Sequence, residues 1–519
     1  MRGQRRVVGK RSAQKNRILT VFPAIMLAML IASTNVFMVS PAIPRIVAEL
    51  GGMEYYSWTI ASTLLAESVM IPVVGKLSDL YGRKPFYLVG IAVFVFGSLT
   101  AGLAPDFWTL VAARAIQGVG TGTILPLSQA VIGDILAPRE RGKYQGLLDV
   151  IFGVSSTLGA PIGGLITDRW GWRWLFFAII PLGVVVFCFI ARFLQVPHEK
   201  RYHSVDYVGT VSLIVGLTAL LLGISFGESS QGNWDSPQAR GFLIAGVVCL
   251  VTFVMVERRA KEPILPLYLW RNSIFALCNV ASAAIGVSFL ASLLFIPMFV
   301  QGILGSNATN SGATLVPMCV SLACVSVSSG LLISKTGRYK PFAATGTVIV
   351  TLGFILLARM NTATTSSAVA VNMIVVGVGL GMIMQTFTLI VQNAVPRKDL
   401  GIATATTTLS RSIGRTIGTA ALGTVLAQRL PLEIARRLPA GAFTGEGESN
   451  AVLNASALVD PATLADLSPS VVTAMREGLA ASLQMVFWAV LPVLGLAVLA
   501  AVMIREIPLA ESIYSPNQS

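Results

Sequence analysis

Apolar windows of about 20 residues recur along the whole chain, each long enough to cross the ~30 Å hydrocarbon core of a bilayer as a helix. Lipid offers no partners for backbone N–H and C=O groups, so such segments must satisfy them internally and are read as helices. Composition agrees. Of 519 residues, 54% are hydrophobic and only 12% charged, against about 25% charged in an average soluble domain. Most of the surface therefore faces something other than water, and the fold class is all-α integral membrane.

The expected spans are 18–43, 55–75, 86–104, 107–133, 145–167 and 174–194, then 207–227 and 241–257, then 272–301, 312–334, 342–359, 367–392, 401–426 and 480–504, fourteen in all. The net charge of +14 would suggest nucleic-acid binding in a soluble protein, but its distribution excludes that partner. All ten lysines (Lys10, Lys15, Lys76, Lys84, Lys143, Lys200, Lys261, Lys335, Lys340 and Lys398) fall in the N-terminus or in alternate loops. Loops on the cytoplasmic side carry this excess of Lys and Arg, which places the basic segment 1–17 and, with an even span count, the C-terminus in the cytoplasm. The basic start leads into a full-length span, so no cleavable signal peptide is expected. Five cysteines, Cys188, Cys249, Cys278, Cys319 and Cys324, all lie in apolar segments and read as small hydrophobes, not as a disulfide framework or metal ligands.

The chain also repeats itself. In "GKLSDLYGRKP", Gly75, Gly82 and Arg83 recur as Gly330, Gly337 and Arg338 of "GLLISKTGRYKP", an offset of 330 − 75 = 255. "GVGTG" at 118–122 returns as "GVGLG" at 377–381, at an offset of 259, and Pro138 and Gly142 return as Pro396 and Gly401, at offsets of 258 and 259. Two six-helix units related by parallel duplication are one known plan for secondary transporters, with the site between the halves near mid-membrane. The expected organisation is a unit at 18–194, an inserted pair at 207–257 and a second unit at 272–504, with a hydrophilic insert at 427–479 on the exterior, a connector in preference to a lid, in which "LPLEIARRLP" and "LSPSVVTAMREGLAASLQ" are expected to be helical.

Several motifs carry a resemblance. "GKLSDLYGRKP" and its weaker repeat look like the signature after span two of the major facilitator superfamily. "LVAARAIQGVGTG" (Leu110–Gly122) resembles its span-four Arg motif, and "GVSSTLGAPIGG" (Gly153–Gly164) its antiporter motif. With two inserted spans and "WGWRWLFFAIIPLG", the chain resembles the fourteen-span drug:proton antiporters from about residue 18 to 504. The resemblance implies the major facilitator fold, two six-helix bundles plus two inserted helices, and proton-coupled export of multiple drugs or lipophilic solutes by alternating access in the plasma membrane. It implies no cofactor beyond the proton gradient. Expected partners are a lipophilic or amphipathic small molecule, protons and membrane lipid, with the chain a monomer. The alternatives are an exporter of a lipid or endogenous metabolite and, in another class, a non-transporting sensor or scaffold. An enzyme is not expected, since no cluster of titratable or metal-binding groups exists and the only two histidines, His198 and His203, share one loop.

The site residues follow from chemistry and from the resemblance. Gly75, Asp79, Gly82, Arg83, Lys84, Arg338 and Arg411 are the expected cytoplasmic gate, with Asp79 facing the positive N-terminus of a neighbouring helix. The resemblance implies that this cluster latches the outward-facing state. Ser334 stands where the second copy would need an acid, so the latch is expected on one side. Gly153, Gly159, Pro161, Gly163 and Gly164 let helices approach closely and bend at proline. An intramembrane ionisable residue is a functional hypothesis by default. Arg114, Glu67 and Asp149 are therefore the proton-coupling candidates, with Arg114 and Gln117 within span four. Where family members carry a span-one acid, this chain has Asn35, which cannot titrate. Glu67 is the expected carrier in its place, the other reading being a structural residue paired with Arg114 or hydrogen-bonded across helices. Asn35, Gln117, Asn279, Gln301, Met382, Met384, Gln385 and Phe387 are the expected cavity residues; no metal ligand or catalytic residue is expected.

Overall fold

The computed structural model describes residues 21–35, 37–39, 42–50, 58–136, 138–194, 207–228, 236–259, 267–306, 313–396, 399–438 and 469–509. Segment 1–17, Lys398, both histidines and insert residues 439–468 lie outside the described residues. Among the described residues all regular structure is helical. The first half comprises α1 (Val21–Val39), α2 (Ile43–Leu50), α3 (Trp58–Tyr81), α4 (Arg83–Gly102), α5 (Phe107–Ile135), α6 (Pro138–Trp170), α7 (Arg173–Phe177) and α8 (Ile179–Phe193). The inserted pair is α9 (Tyr207–Glu228) and α10 (Pro237–Glu257). After a 3₁₀ turn at Leu267–Arg271 come α11 (Ser273–Gly302), α12 (Val316–Thr336), α13 (Lys340–Leu357), α14 (Ser366–Ile383), α15 (Thr386–Ala394), α16 (Leu400–Ala435) and α17 (Pro469–Met503).

Ten described helices are long and apolar enough to cross a membrane. The long helices outside that set are α3, α6 and α16, which carry the polar motifs, and α9, whose apolar stretch is shorter. Local sequence sets the helix starts. Asp106 accepts the Thr109 amide at 2.9 Å to cap α5, and Ser236 with Pro237 at the first position opens α10. Gly82 (φ 95°) and Gly337 (φ 72°) break the chain between α3 and α4 and between α12 and α13, in a backbone region that favours glycine.

The first half buries two apolar clusters, one around Tyr87, Ile91, Phe94 and Leu127 and one around Phe107, Leu110, Trp172 and Phe176. The second half buries one, with Phe275, Phe299, Phe354, Phe387 and Phe487. A fourth cluster joins the halves: Val69 and Ile71 of α3 meet Ala405 and Leu409 of α16, and Leu213, Leu217 and Phe253 of the inserted pair cover them. The inserted pair thus lies along the α3–α16 seam. Its outer faces expose Val208, Val211, Ile244, Val248 and Met255, a pattern that costs nothing against lipid.

The helices alternate in direction, so Lys76, Lys84, Lys143, Lys335 and Lys340 all fall at one end of the molecule, here termed the basic end. Two seams join the bundles in its half. Along α6–α12, Gly142 and Gly330 touch backbone to backbone, Gly146 lies against Ser326 and Gly153 against Cys319. Beyond that α6 turns to its own bundle, where Gly159 and Gly163 pack on Phe37 and Met38 of α1. At the opposite end α16 and α17 run past the expected span ends of 426 and 480 as helix, and Ile434 packs on Gly478. The outer parts of the expected connector are therefore helical continuations of the two spans. Helical propensity and this pairing carry them beyond the apolar stretch.

Candidate functional site

The polar groups concentrate at two depths. At the basic end, α3 finishes beside the start of α16. Asp79 Oδ1 accepts the Gly401 amide at 3.0 Å and Oδ2 the Ile402 amide at 2.7 Å. These are donors that an α-helix leaves without internal partners, at the positive end of its dipole. Asp79 also pairs with Arg83, one turn on. Arg83 in turn donates to Ser78 Oγ (2.7 Å) and, through Nε, to Asp134 Oδ2 at the end of α5 (2.9 Å). Both Asp79 and Arg83 have nearly buried side chains, at 3% and 5% exposed, where each charge-assisted bond contributes about 1.5–3 kcal/mol. Gly75 allows the approach, since a Cβ there would collide with Ala405. Lys84 donates to the Ala191 carbonyl of α8 (2.6 Å), fixing the loop to its own bundle.

A second clasp lies beside it. Arg141 of α6 donates to the Gln392 carbonyl of α15 (3.3 Å), and Gln145 Nε2 to Gln392 Oε1 (2.8 Å). Gln392 Nε2 donates to the Gln129 carbonyl of α5 and to Thr404 Oγ1 of α16. The basic end is therefore closed, by an ionic contact at one seam and an amide network near the other.

Deeper, the seam α3–α16 holds a charged pair. Glu67, 3% exposed, lies 3.5 Å from Arg415 Nη2, and Ser68 and Ser412 share a hydrogen bond of 2.6 Å beside it. The partner of Glu67 is thus in the other bundle, not Arg114. A buried pair stripped of one member costs about 3–5 kcal/mol, so this contact couples the charge on Glu67 to the seam. Arg114 instead sits among neutral acceptors: Asn35 Oδ1 at 2.6 Å, Gln117 Oε1 at 2.8 Å and the Thr59 carbonyl at 3.2 Å, with the Phe176 ring centroid 6.0 Å away. Gln117 is held by its own bond to Ser98 Oγ (2.7 Å). Among the described residues no carboxylate pairs with Arg114. Asn35, expected from the resemblance to stand where relatives carry an acid, accepts from the guanidinium through its amide oxygen.

The remaining expected residues are dispersed. Arg411 is about three turns into α16, since that helix begins at Leu400. There it donates to the Met384 carbonyl. Met384 and Gln385 form the break between α14 and α15. Asn279 accepts from Ser410 Oγ at 2.9 Å, tying α11 to α16. Met382 packs on Gly346, Phe387 is wholly buried in the second-half core, and Gln301 sits at the far end of α11. Asp149 is about three turns into α6, which starts at Pro138 rather than near 145; its side chain lies outside the described set. Pro161 faces outward, Gly164 has open space and Arg338 is exposed.

Residues that sequence reasoning did not single out join the contacts at the basic end: Asp134, Arg141, Gln145 and Gln392; Arg415, expected with Arg411 near the cytoplasmic gate, is instead the partner of Glu67. The repeat of "PRERG" as "PRKDLG" marked the neighbourhood of Arg141. Nothing local marked Gln392, whose role depends on the register of four helices.

Comparison with known proteins bears on this arrangement. Residues 25–419 match the Major Facilitator Superfamily. The chain is 35% identical over 422 residues to the multidrug transporter protein MdtP of Bacillus subtilis (strain 168), covering 81% of this chain and 77% of that one. It is 33% identical over 401 residues to multidrug resistance protein 3 of the same organism, covering 77% and 78%. Among solved structures, the proton:xylose symporter XylE aligns with a TM-score of 0.62 at 13% identity over 94% of this chain and 95% of that one. The human organic anion transporter MFSD10 aligns with a TM-score of 0.60, also at 13% identity, over 92% and 99%. These two share the fold. With two helical bundles, a motif loop docked across them and relatives named as transporters rather than enzymes, the chain is a multi-pass membrane transporter of the major facilitator superfamily.

Proposed function

We infer that the protein is a proton-coupled exporter of lipophilic or amphipathic solutes in the plasma membrane, with its basic end in the cytoplasm and Glu67 as the proton carrier. The observation that carries this reading is the Glu67–Arg415 pair, 3.5 Å apart, spanning the two bundles at the buried middle of the α3–α16 seam. Relatives named for multidrug transport supply the solute class.

In this reading the structure is the outward-facing state. Ionised Glu67 holds Arg415 and so favours the closed basic end. A proton arriving from outside removes the carboxylate charge, weakens the seam and favours opening toward the cytoplasm. There Glu67 loses the proton, the pair re-forms, and the protein returns outward with solute aboard. Exchange requires proton and solute to favour opposite states, since a ligand shifts an equilibrium only through differential affinity.

The test is solute uptake into proteoliposomes with and without an imposed pH gradient, comparing wild type with Glu67→Gln. The amide keeps the shape but cannot titrate. The gradient-driven component is expected to vanish while downhill exchange persists. Full gradient-driven uptake by the variant would remove Glu67 as carrier.

A further inference from the structure

Asp399 stands at the N-cap of α16. From that position a carboxylate ordinarily accepts the amides two and three residues on, which here belong to Gly401 and Ile402. Its side chain makes no such bond. Asp399, 4% exposed, is instead turned to the phenol of Tyr268, which donates to its Oδ2. Tyr268 lies in the turn Leu267–Arg271, and Asn272 at the end of that turn donates to the Ala394 carbonyl at 3.1 Å, fastening it to α15. The two amides are taken by Asp79 of the other bundle, at 3.0 and 2.7 Å. One pair of donors thus has two carboxylates within reach, and the nearer in sequence is held aside.

We propose that Asp399 replaces Asp79 at the N-terminus of α16 when the basic end opens, and that Tyr268 positions Asp399 away from those amides while the end is closed. The proposal rests on the alternating-access reading above. When the bundles part, Asp79 leaves with α3, and the first turn of α16 would face its new surroundings with unsatisfied amides at a positive helix end. Asp399 needs only a side-chain rotation to take them. The open state is thereby relieved of most of the penalty for breaking the latch, and the two states become close enough in free energy to interconvert. Tyr268 suits its role: partial burial and the adjacent Asp399 push its phenol up from its usual range, so it remains a donor at neutral pH. Neither residue touches solute or proton in this scheme; both act through the helix N-terminus.

The experiment reads the basic end directly. Spin labels are placed on cysteines substituted at Glu140 of α6 and Thr336 of α12, both exposed there, in a background with the five native cysteines replaced and transport verified. Distance distributions give the closed-to-open ratio. Tyr268→Phe frees Asp399 to compete, and the ratio is expected to fall about five-fold, the effect of one ordinary cap. Asp399→Ala removes the competitor, and the ratio does not fall. In the Asp399→Ala background, adding Tyr268→Phe is expected to change nothing further, an epistasis that a merely structural tyrosine would not show. An equal fall with and without Asp399, or no fall at all, overturns the proposal. Asp79→Asn serves as reference: if it opens the basic end while Tyr268→Phe does not, the exchange of caps is wrong and alternating access stands. If no variant, Asp79→Asn included, shows a second distance, both fail.

Discussion

The two copies of the charged loop, Gly75–Pro85 and Gly330–Pro341, share a glycine turn and an arginine but grip different things. The first reaches across the molecule, where Asp79 holds the start of α16 in the other bundle. The second stays at home. Tyr339, an extra residue in that copy, donates its amide to Glu506 (3.1 Å), and its hydroxyl accepts the Ile507 amide (2.6 Å) from the segment that follows α17. Lys84 does the corresponding work in the first copy by holding the Ala191 carbonyl near the end of α8. Each loop therefore braces the last helix of its own unit; between units the first adds a carboxylate docked on helix amides, and the second a backbone contact of Gly330 with Gly142. Duplication preserved the brace and left the latch on one side.

The physical reason lies in where the facing helices begin. In α16, which starts at Leu400, the amides of Gly401 and Ile402 belong to the first turn and have no intrahelical partner. The equivalent of Gly401 in the first unit is Gly142, at an offset of 401 − 142 = 259. But α6 starts earlier, at Pro138, so by the i→i−4 pattern the Gly142 amide is already spent on the Pro138 carbonyl. A carboxylate arriving at that point from the second copy would find no free donor. Gly142 and Gly330 instead touch directly, a contact of backbones.

The largest effect is expected on breaking the first copy. Asp79→Ala removes two charge-assisted amide bonds and leaves Arg83 with one acid, the half-buried Asp134. Two bonds of this kind sum to about 3–6 kcal/mol, of which re-capping and water recover a share. A loss of roughly 2–3 kcal/mol from the closed state corresponds to a transport rate lower by about two orders of magnitude if that state is on the cycle. Solute efflux normalised to folded protein in the membrane checks it, and an activity within a factor of three of wild type would contradict a latch at this position.

Breaking the brace of the second copy has a smaller and different signature. Tyr339→Phe leaves the Ile507 amide without its hydroxyl acceptor. Ile507 is partly exposed, so water can take up its amide and the loss is that of one ordinary hydrogen bond, about 0.5–1.5 kcal/mol, felt as stability of the second unit rather than as coupling. Thermal unfolding in detergent is expected to come at lower temperature, with transport per folded molecule and its response to a pH gradient unchanged. A change in gradient response would show that the second copy also acts between the units.

How much of this could be read in the sequence depends on whether a contact is local. The spans, the repeat and the charged turns came from windows of a few dozen residues. Arg114 and Gln117, one turn apart on α5, were legible as neighbours for the same reason. The fate of Glu67 was not, because Arg415 is 348 residues away (415 − 67) and reaches it only when α3 and α16 are in register. Asp134 reads as one more polar residue in a loop until Arg83 is placed beside it. The flanks of the 427–479 segment read as helical from their local pattern, but that they continue α16 and α17 and pack on each other, Ile434 on Gly478, depends on a contact between distant segments.

The smallest effect is expected from trying to build the missing latch. Ser334→Asp restores to the second copy the acid that the first one has. Were the sequence difference alone responsible for the asymmetry, the variant would gain a second cross-bundle contact. The closed state would then deepen by up to about 2 kcal/mol, the upper range for a carboxylate docked at a partly buried helix end, slowing transport by about ten-fold. Because the matching amide in α6 is committed within its helix, the new carboxylate finds no such donor there and pairs with the cations of its own turn, Lys335 and Arg338. The expected change in efflux rate is less than two-fold, within the range of an exposed ion pair. A ten-fold slowing, relieved by also substituting Gly142 or Arg141, would place the asymmetry in residue 334 rather than in the early start of α6.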